Sequence, residues 1–260
     1  MLTGMREEDW TTVLAVFNAT RSRRGDKGRN DRRFLEAPHY FVVHNITWRA
    51  LPVEYGHWNS VWKRFWRLSQ TGFFEAFFEA LADNSATAHL VVMFDSTVVR
   101  AHVSAAGAKG GKKPKRLDVH AGGFSTKIHV KTDRDGLPLA FDLTGGEASD
   151  SRHFQTLLDI GPDIEPRAVV ADKGYDAKAN REVARARGIA PAIPYRKTTK
   201  LQPAFFPKIL YKARARIEIL IGKLKRFKRI ALRCEKTARN YASFVALACA
   251  FIWVKSVHTA

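Results

Sequence analysis

Hydrophobic positions recur with two different periods along this chain, and the change falls near residue 86. Before it, Trp58, Trp62, Phe65 and Trp66, then Phe73, Phe74, Phe77, Phe78 and Leu81, stand three and four apart, the spacing of one helical face. Thr71-Gly72 separates the two stretches, and Pro38 in the segment before them predicts a shortened or kinked helix there. Aromatic stripes of this kind read as the core of a small helical domain, residues 1–86, rather than as a platform for stacked bases. After residue 86 the pattern becomes that of strands. Residues 89–99, HLVVMFDSTVV, form a β-branched apolar run with one aspartate inside it. In residues 123–132, Phe124, Thr126, Ile128 and Val130 alternate with Ser125, Lys127, His129 and Lys131, which predicts a half-buried strand. Asp135-Gly136 marks a turn, and Leu137, Leu139, Phe141 and Leu143 alternate beyond it, completing a hairpin. A helix over 151–160, a buried strand over 167–171, a helix over 175–187 and a strand over 189–193 follow. Two long helices, 208–229 and 237–257, close the chain. A hairpin followed by alternating helices and strands predicts an α/β domain, residues 87–260, with a mixed sheet flanked by helices.

Charge narrows the class of partner. The 260 residues carry a formal charge of +19, and +13 of it comes from residues 196–239, where fifteen Lys and Arg face only Glu218 and Glu235. Seven more basic residues fall between Arg21 and Arg33, and Lys109, Lys112, Lys113, Lys115 and Arg116 sit in a Gly-rich stretch that reads as a mobile loop. One such run is an ordinary solvated face; three of one sign favour a polyanion, and the usual partner of such a charge is nucleic acid. Two cysteines, Cys234 and Cys249, exclude a disulfide scaffold and a cysteine-based zinc ribbon. No apolar leader is visible, and the longest apolar run, 244–254, is far below the roughly 20 residues of a membrane span. A cytoplasmic, nucleoid-associated protein is expected.

The candidate chemistry lies in three acids. Asp95 sits within an apolar strand, where an unpaired carboxylate would cost several kcal/mol. Asp172 ends the buried strand VVAD, and Glu218 stands alone among Lys and Arg in the late helix. If the first and fourth of these strands are neighbours, Asp95 and Asp172 meet at one sheet edge, and a helix packed there presents Glu218 to both. Carboxylates brought together repel, and oxygen-only ligands of this kind select Mg²⁺ or Mn²⁺, with two ions serving a phosphoryl displacement. Each acid also has a purely structural reading: Asp95 satisfying a backbone group, Asp172 in a turn, Glu218 paired with Arg214 or Lys225.

The sharpest motif is Tyr211, Arg214, Glu218 and Lys225, spaced by two, three and six intervening residues. With FDST (94–97), GGFSTKIH (122–129), ADKGYD (171–176) and the basic segment 226–241, it makes the chain resemble DDE-type transposases of bacterial insertion sequences, the insertion sequence five family in particular. The resemblance implies an RNase H-like catalytic core preceded by a helical region that binds the element's terminal repeats. It also implies a site in which Asp95, Asp172 and Glu218 hold two Mg²⁺ ions, replaceable by Mn²⁺. Arg214 and Lys225 would hold DNA phosphates, and Tyr211 would support that face or stack on a nucleotide. Arg226, Lys228 and Arg229, with Lys109, Lys112 and Lys113, are further candidates for DNA contact, and a homo-oligomer on paired ends is expected. Pro38, Asn45 and Thr47 depart from the family's pattern, the last two standing where it has Gly and Pro. Two other readings are a DNA-binding protein without catalysis, such as a domesticated transposase, and an RNase H-like nuclease lacking end preference. A tyrosine recombinase is disfavoured, since none of the nine histidines has Arg three places on.

Overall fold

The computed structural model describes residues 3–21, 28, 30–106, 118–120, 123–197, 199 and 205–258. Lys109, Lys112 and Lys113, with the rest of the expected basic loop, lie outside them. Four helices come first: α1 (Glu7–Thr20), α2 (Asp31–His44), α3 (Trp58–Gln70) and α4 (Phe73–Ala82). Then follow β1 (Val91–Ala101), α5 (Val103–Ala106), β2 (Asp118–His120), β3 (Gly123–Thr132), β4 (Pro138–Gly145), α6 (Phe154–Asp159), β5 (Ala168–Ala171), α7 (Lys178–Ala186) and β6 (Ala190–Ala192). The chain finishes with α8 (Lys208–Lys212), α9 (Ala215–Arg226), α10 (Lys228–Ala231), β7 (Leu232–Arg233) and α11 (Ala238–Val257).

β1 is the centre of the sheet. It pairs antiparallel with β3, which pairs antiparallel with β4, and parallel with β5, which pairs parallel with β6. Reading only these five long-range partners, the order is β4-β3-β1-β5-β6, the mixed RNase H-like arrangement expected from the sequence. The hairpin forms where Asp135-Gly136 predicts it. Gly136 has φ +83°, and a Cβ there would stand 2.9 Å from the Cβ of Arg216, so the turn fits closely under the start of α9.

The aromatic stripes are core as their spacing suggests, except Trp66, which is 47% exposed on the outer side of α3. Phe65 stacks on Phe244 of α11 at 4.5 Å, and Phe41 stacks on Trp48 at 4.1 Å. One cluster of buried side chains runs from Trp10 on α1 through the sheet to Val254 on α11. α11 is apolar all round because it is enclosed: α1 to α4 pack on it, and so do β4 and α9. By length and composition it is apolar enough to cross a membrane, yet 72% of that stretch is buried inside the protein.

Several local expectations are corrected. α2 is not cut short at Pro38, which lies buried inside it. An interior proline costs a helix about 3 kcal/mol in isolation; here packing against α10 and α11 and a firm end hold the helix together. That end is Asn45, left-handed at φ 55°, whose N–H donates to Phe41 O. Glycine is the usual residue in that conformation and asparagine the next choice, so the departure from the family pattern keeps its geometry. The helix expected over 208–229 is three: it breaks at Ala213–Arg214 and again at Phe227, whose extended backbone (ψ 101°) drops its ring into the core. The second face of β3 is not half-exposed, since His129 (0%) and Lys131 (2%) are as buried as Ile128. α6 covers them, and Lys131 Nζ donates to Leu158 O and Ile160 O at its C-terminal end (3.2 and 2.8 Å). Burial pushes that lysine's pKa down to about 8.

Candidate active site

A gap in the sheet makes the site. On the edge of β1 away from β3, β5 covers residues 91–94 and β7 covers 100–101. Among the described residues, nothing pairs as a strand with 95–99 on that edge, so a notch opens beside Asp95. Phe94 is the ladder partner of Ala171, so Asp172, just past the end of β5, comes level with Asp95 inside β1, their backbones about one strand spacing of 5 Å apart. The notch lies at the carboxyl end of β5, the position where open α/β sheets take their ligands.

Both aspartates are fixed by backbone amides. Ser96 N donates to Asp95 Oδ1 (2.8 Å) and Gly174 N to Asp172 Oδ1 (2.8 Å). The loop bearing Gly174 is locked from behind by Asp176, which accepts from buried Arg181 (2.7 Å) and from the Arg196 amide (2.6 Å). α9 closes the opposite side. Arg214, at its first turn, donates to Asp95 Oδ2 (3.0 Å) and is paired with Glu218 one turn on. Each of the three acids therefore takes its structural role, and Arg214 links two of them, Asp95 and Glu218. The Asp95 carboxyl lies above its ordinary range, raised by burial first and by Asp172 and Glu218, against the pull of Arg214 and the Ser96 amide. Burial opposes the charge on Arg214, but Asp95 and Glu218 outweigh it and raise its pKa. Tyr211 is half-buried against Phe206, and its phenol is raised by burial and by Asp172, Glu218 and Asp95, with Arg214 opposing.

Glu218 is the loosest of the three, with its side chain 55% exposed against 14% for Asp95. Among the described residues no three Asp, Glu, His or Cys side chains stand close enough to share an ion. Arg214 accounts for this, because it draws Glu218 to itself and occupies Asp95. The donor set is all oxygen, as a hard divalent cation requires, and Gly174 stands where an added Cβ would press on Asp172 Oδ1 at 2.8 Å.

Lys225, Arg226 and Lys228 are exposed at the far end of α9 and the start of α10, Lys225 about 10 Å from Glu218 along the axis. Arg229 does not join them, and its expected DNA contact is corrected. It is 8% exposed, pairs with Glu235 (2.5 Å), donates to Asn45 Oδ1 and Ile46 O, and lies over Phe41 at 4.4 Å. Asp150 is not among the site residues expected from the sequence. Ser96 Oγ and Lys127 Nζ both donate to Asp150 Oδ1 (2.8 and 3.1 Å), beside the notch. The alternation of β3 put Lys127 on the face of His129; a basic residue on what proves a covered face was the available signal.

The family model described as "Transposase DDE domain" matches residues 86–253, a span that contains Asp95, Asp172 and Glu218. The chain belongs to this family. A second model, "Putative transposase of IS4/5 family", matches residues 5–78. Among relatives of the DDE-domain chain, the "Putative transposase for insertion sequence element IS6501" of Brucella ovis is 39% identical over 137 residues, which is 51% of this chain and all of that protein. The "Putative transposase for insertion sequence element IS402" of Burkholderia cepacia is 35% identical over 136 residues, 49% of this chain and 62% of that protein. A solved structure, "Mos1 transposase paired-end complex with left transposon end", aligns over 81% of each chain with 11% identity and a TM-score of 0.27. That superposition is loose, and the RNase H-like assignment rests on the strand order and the family.

Proposed function

We propose that the chain is a transposase that binds the terminal inverted repeats of its insertion sequence, cuts the DNA there, and joins the freed end to target DNA. The observation that carries this reading is the ion pair between Arg214 and Asp95, which ties the late basic helix to the strand carrying the first acid. In this reading Asp95, Asp172 and Glu218 hold divalent cations, Mg²⁺ with Mn²⁺ able to substitute. Such ions activate an attacking oxygen and neutralise charge on the phosphate. For Glu218 to serve, Arg214 leaves it and turns to the incoming phosphate, an exchange of one oxyanion for another at a planar guanidinium. Lys225, Arg226 and Lys228 then hold phosphates along the same duplex, Lys109, Lys112 and Lys113 add charge from their segment, and Tyr211 stays as support beside Arg214.

The reaction follows from positioning. Water attacks phosphorus at the element end, the bond to the 3′ oxygen breaks, and a 3′-hydroxyl is left. That hydroxyl attacks a target phosphate and expels another 3′ oxygen, so the number of phosphodiester bonds is kept in the second step. Residues 1–86 recognise the terminal repeat, residues 87–260 perform the chemistry, and two or more copies act on paired ends. A DNA substrate places this work in the cytoplasm, on the nucleoid.

Incubation with Mn²⁺ and an end-labelled duplex carrying the element's terminus tests the reading. Wild type nicks at the element end, and Asp95→Ala binds without nicking. Retention of the duplex without nicking by wild type would assign a binding protein instead, and nicking that ignores the end sequence would assign a general nuclease.

A further inference from the structure

Of the four helices that open the chain, α3 alone contains no acid. Its sequence, WNSVWKRFWRLSQ, buries Val61, Arg64, Phe65, Leu68 and Ser69, on the side that meets α4, α11 and the short turn Trp48–Ala50. The other side carries Asn59, Lys63, Trp66 and Arg67, the last three exposed. Asn59, Lys63 and Arg67 stand four apart, so they form one strip along the axis, about 12 Å long.

Elsewhere in residues 1–86 the fold answers its own charges. On α2, Arg32 pairs with Glu7 and Glu36 (2.8 and 2.6 Å), and Arg33 donates to Glu54 O and Val53 O (2.5 and 2.9 Å). Arg64, on the inner side of α3, is held by Asp31 at 2.5 Å. α1 opens on Glu7, Glu8 and Asp9, and α4 carries Glu75 and Glu79 with no basic residue. On the outer strip of α3, by contrast, the Lys63 and Arg67 side chains have no hydrogen bond or ion pair among the described residues. Between them Trp66 keeps 47% of its surface exposed. Two unanswered cations flanking a large apolar ring, with an amide on the same strip, suit a polyanion that also offers polar and apolar edges.

We propose that α3 enters the major groove of the terminal-repeat duplex and reads its sequence. This rests on the reading of the chain as a transposase that binds its element's ends, and adds which element of the fold discriminates. A helix roughly 10–12 Å across fits a groove about 12 Å wide. Lys63 and Arg67 donate to guanine O6 and N7, Asn59 pairs with the adenine edge, and Trp66 lies against thymine methyl groups. At about 3.4 Å per base, the strip spans three to four base pairs.

Competition binding by the full-length protein tests this, with a labelled duplex carrying the element's terminus against an unlabelled duplex of scrambled sequence. Wild type prefers the terminus. Lys63→Ala and Arg67→Ala each reduce that preference about tenfold, with the melting temperature unchanged because neither side chain touches the core. Lys225→Ala weakens both duplexes alike and keeps the preference. Equal weakening on both duplexes by the α3 variants would make the strip a phosphate contact and overturn base reading. Unchanged binding to both would overturn the proposal and leave end recognition to another element; a loss of self-association in sedimentation by the same variants would then assign the strip to an interface between copies. No preference for the terminus by wild type would overturn the end-binding reading itself.

Discussion

Two ends of one basic segment behave in opposite ways. At one end, Arg229 and Arg233 are enclosed: Arg229 is held by Glu235, Asn45 and Ile46, and Arg233, 0% exposed, donates to Glu235 O and Thr126 Oγ1 and lies over Tyr241 at 5.1 Å. At the other end, Arg214 lies at the edge of a notch, shared between Asp95 and Glu218, with its buried Nε unpartnered. The first arginines fasten the end of α2 and the start of α11 to the sheet. Arg214 neutralises two of the acids of the proposed cation site. A charge run therefore reveals little about use; what distinguishes the arginines is whether the folded protein already satisfies them.

The largest expected effect breaks the enclosed end. Arg229→Ala leaves Glu235 buried without its partner, and burial already raises that carboxyl above its ordinary range against the pull of Arg229. Urea denaturation is expected to show a loss of about 3–5 kcal/mol. Arg214→Ala, at the open end, is expected to cost about 1 kcal/mol or less in the same assay while abolishing strand cleavage. Equal losses of stability would erase the distinction.

The second prediction sharpens the comparison by showing that the floor beneath the notch is built like the enclosed end. His129, fully buried and stacked on His153 at 4.2 Å, has its pKa pushed down to about 4 by burial and then by His153. The unfolded chain takes up a proton as pH falls through about 6.5, and the folded one does not until about 4, so stability is present above 6.5 and lost across that window. Between pH 7 and pH 5 this histidine alone accounts for a loss of about 2 kcal/mol. His39, pushed down to about 4 mainly by burial, adds a second component. In His129→Asn the loss over that range is expected to be roughly halved, and an unchanged pH profile would contradict the assignment.

The smallest effect concerns the exposed residues. Lys225→Ala is expected to lower the slope of log affinity for DNA against log salt by about 0.9, with no change in stability. A fold-competent Arg229→Lys should leave that slope as it is. A drop in slope for Arg229→Lys, or none for Lys225→Ala, would reverse the roles assigned to them.

Local pattern carried much of the sheet. An aspartate inside a β-branched run, an Asp-Gly turn between two alternating runs and a second aspartate ending VVAD mark the strands, and the observed parallel register, Phe94 against Ala171, is what sets Asp95 beside Asp172. What local pattern does not contain is which side of an element meets another. Lys127, His129 and Lys131 alternate like an exposed face, yet all three meet segments later in the chain: Lys127 bonds Asp150, His129 stacks on His153, and Lys131 bonds the carbonyls at the end of α6. Arg229 belongs to the same charge run as Lys228, yet one is buried and one exposed, since the break at Phe227 turns the chain inward between α9 and α10. Pro38 violates helix propensity, and packing from α10 and α11 overrides it.

The most direct test is crystallographic. Crystals of the full chain soaked in MnCl2, with anomalous differences recorded at the manganese edge, show where the ion goes and what moves to receive it. The account predicts density between Asp95 and Asp172, with Glu218 turned in as a ligand and Arg214 displaced from both acids. Manganese bound elsewhere, or Glu218 still paired with Arg214 while the ion sits on the two aspartates, would contradict a site made by all three.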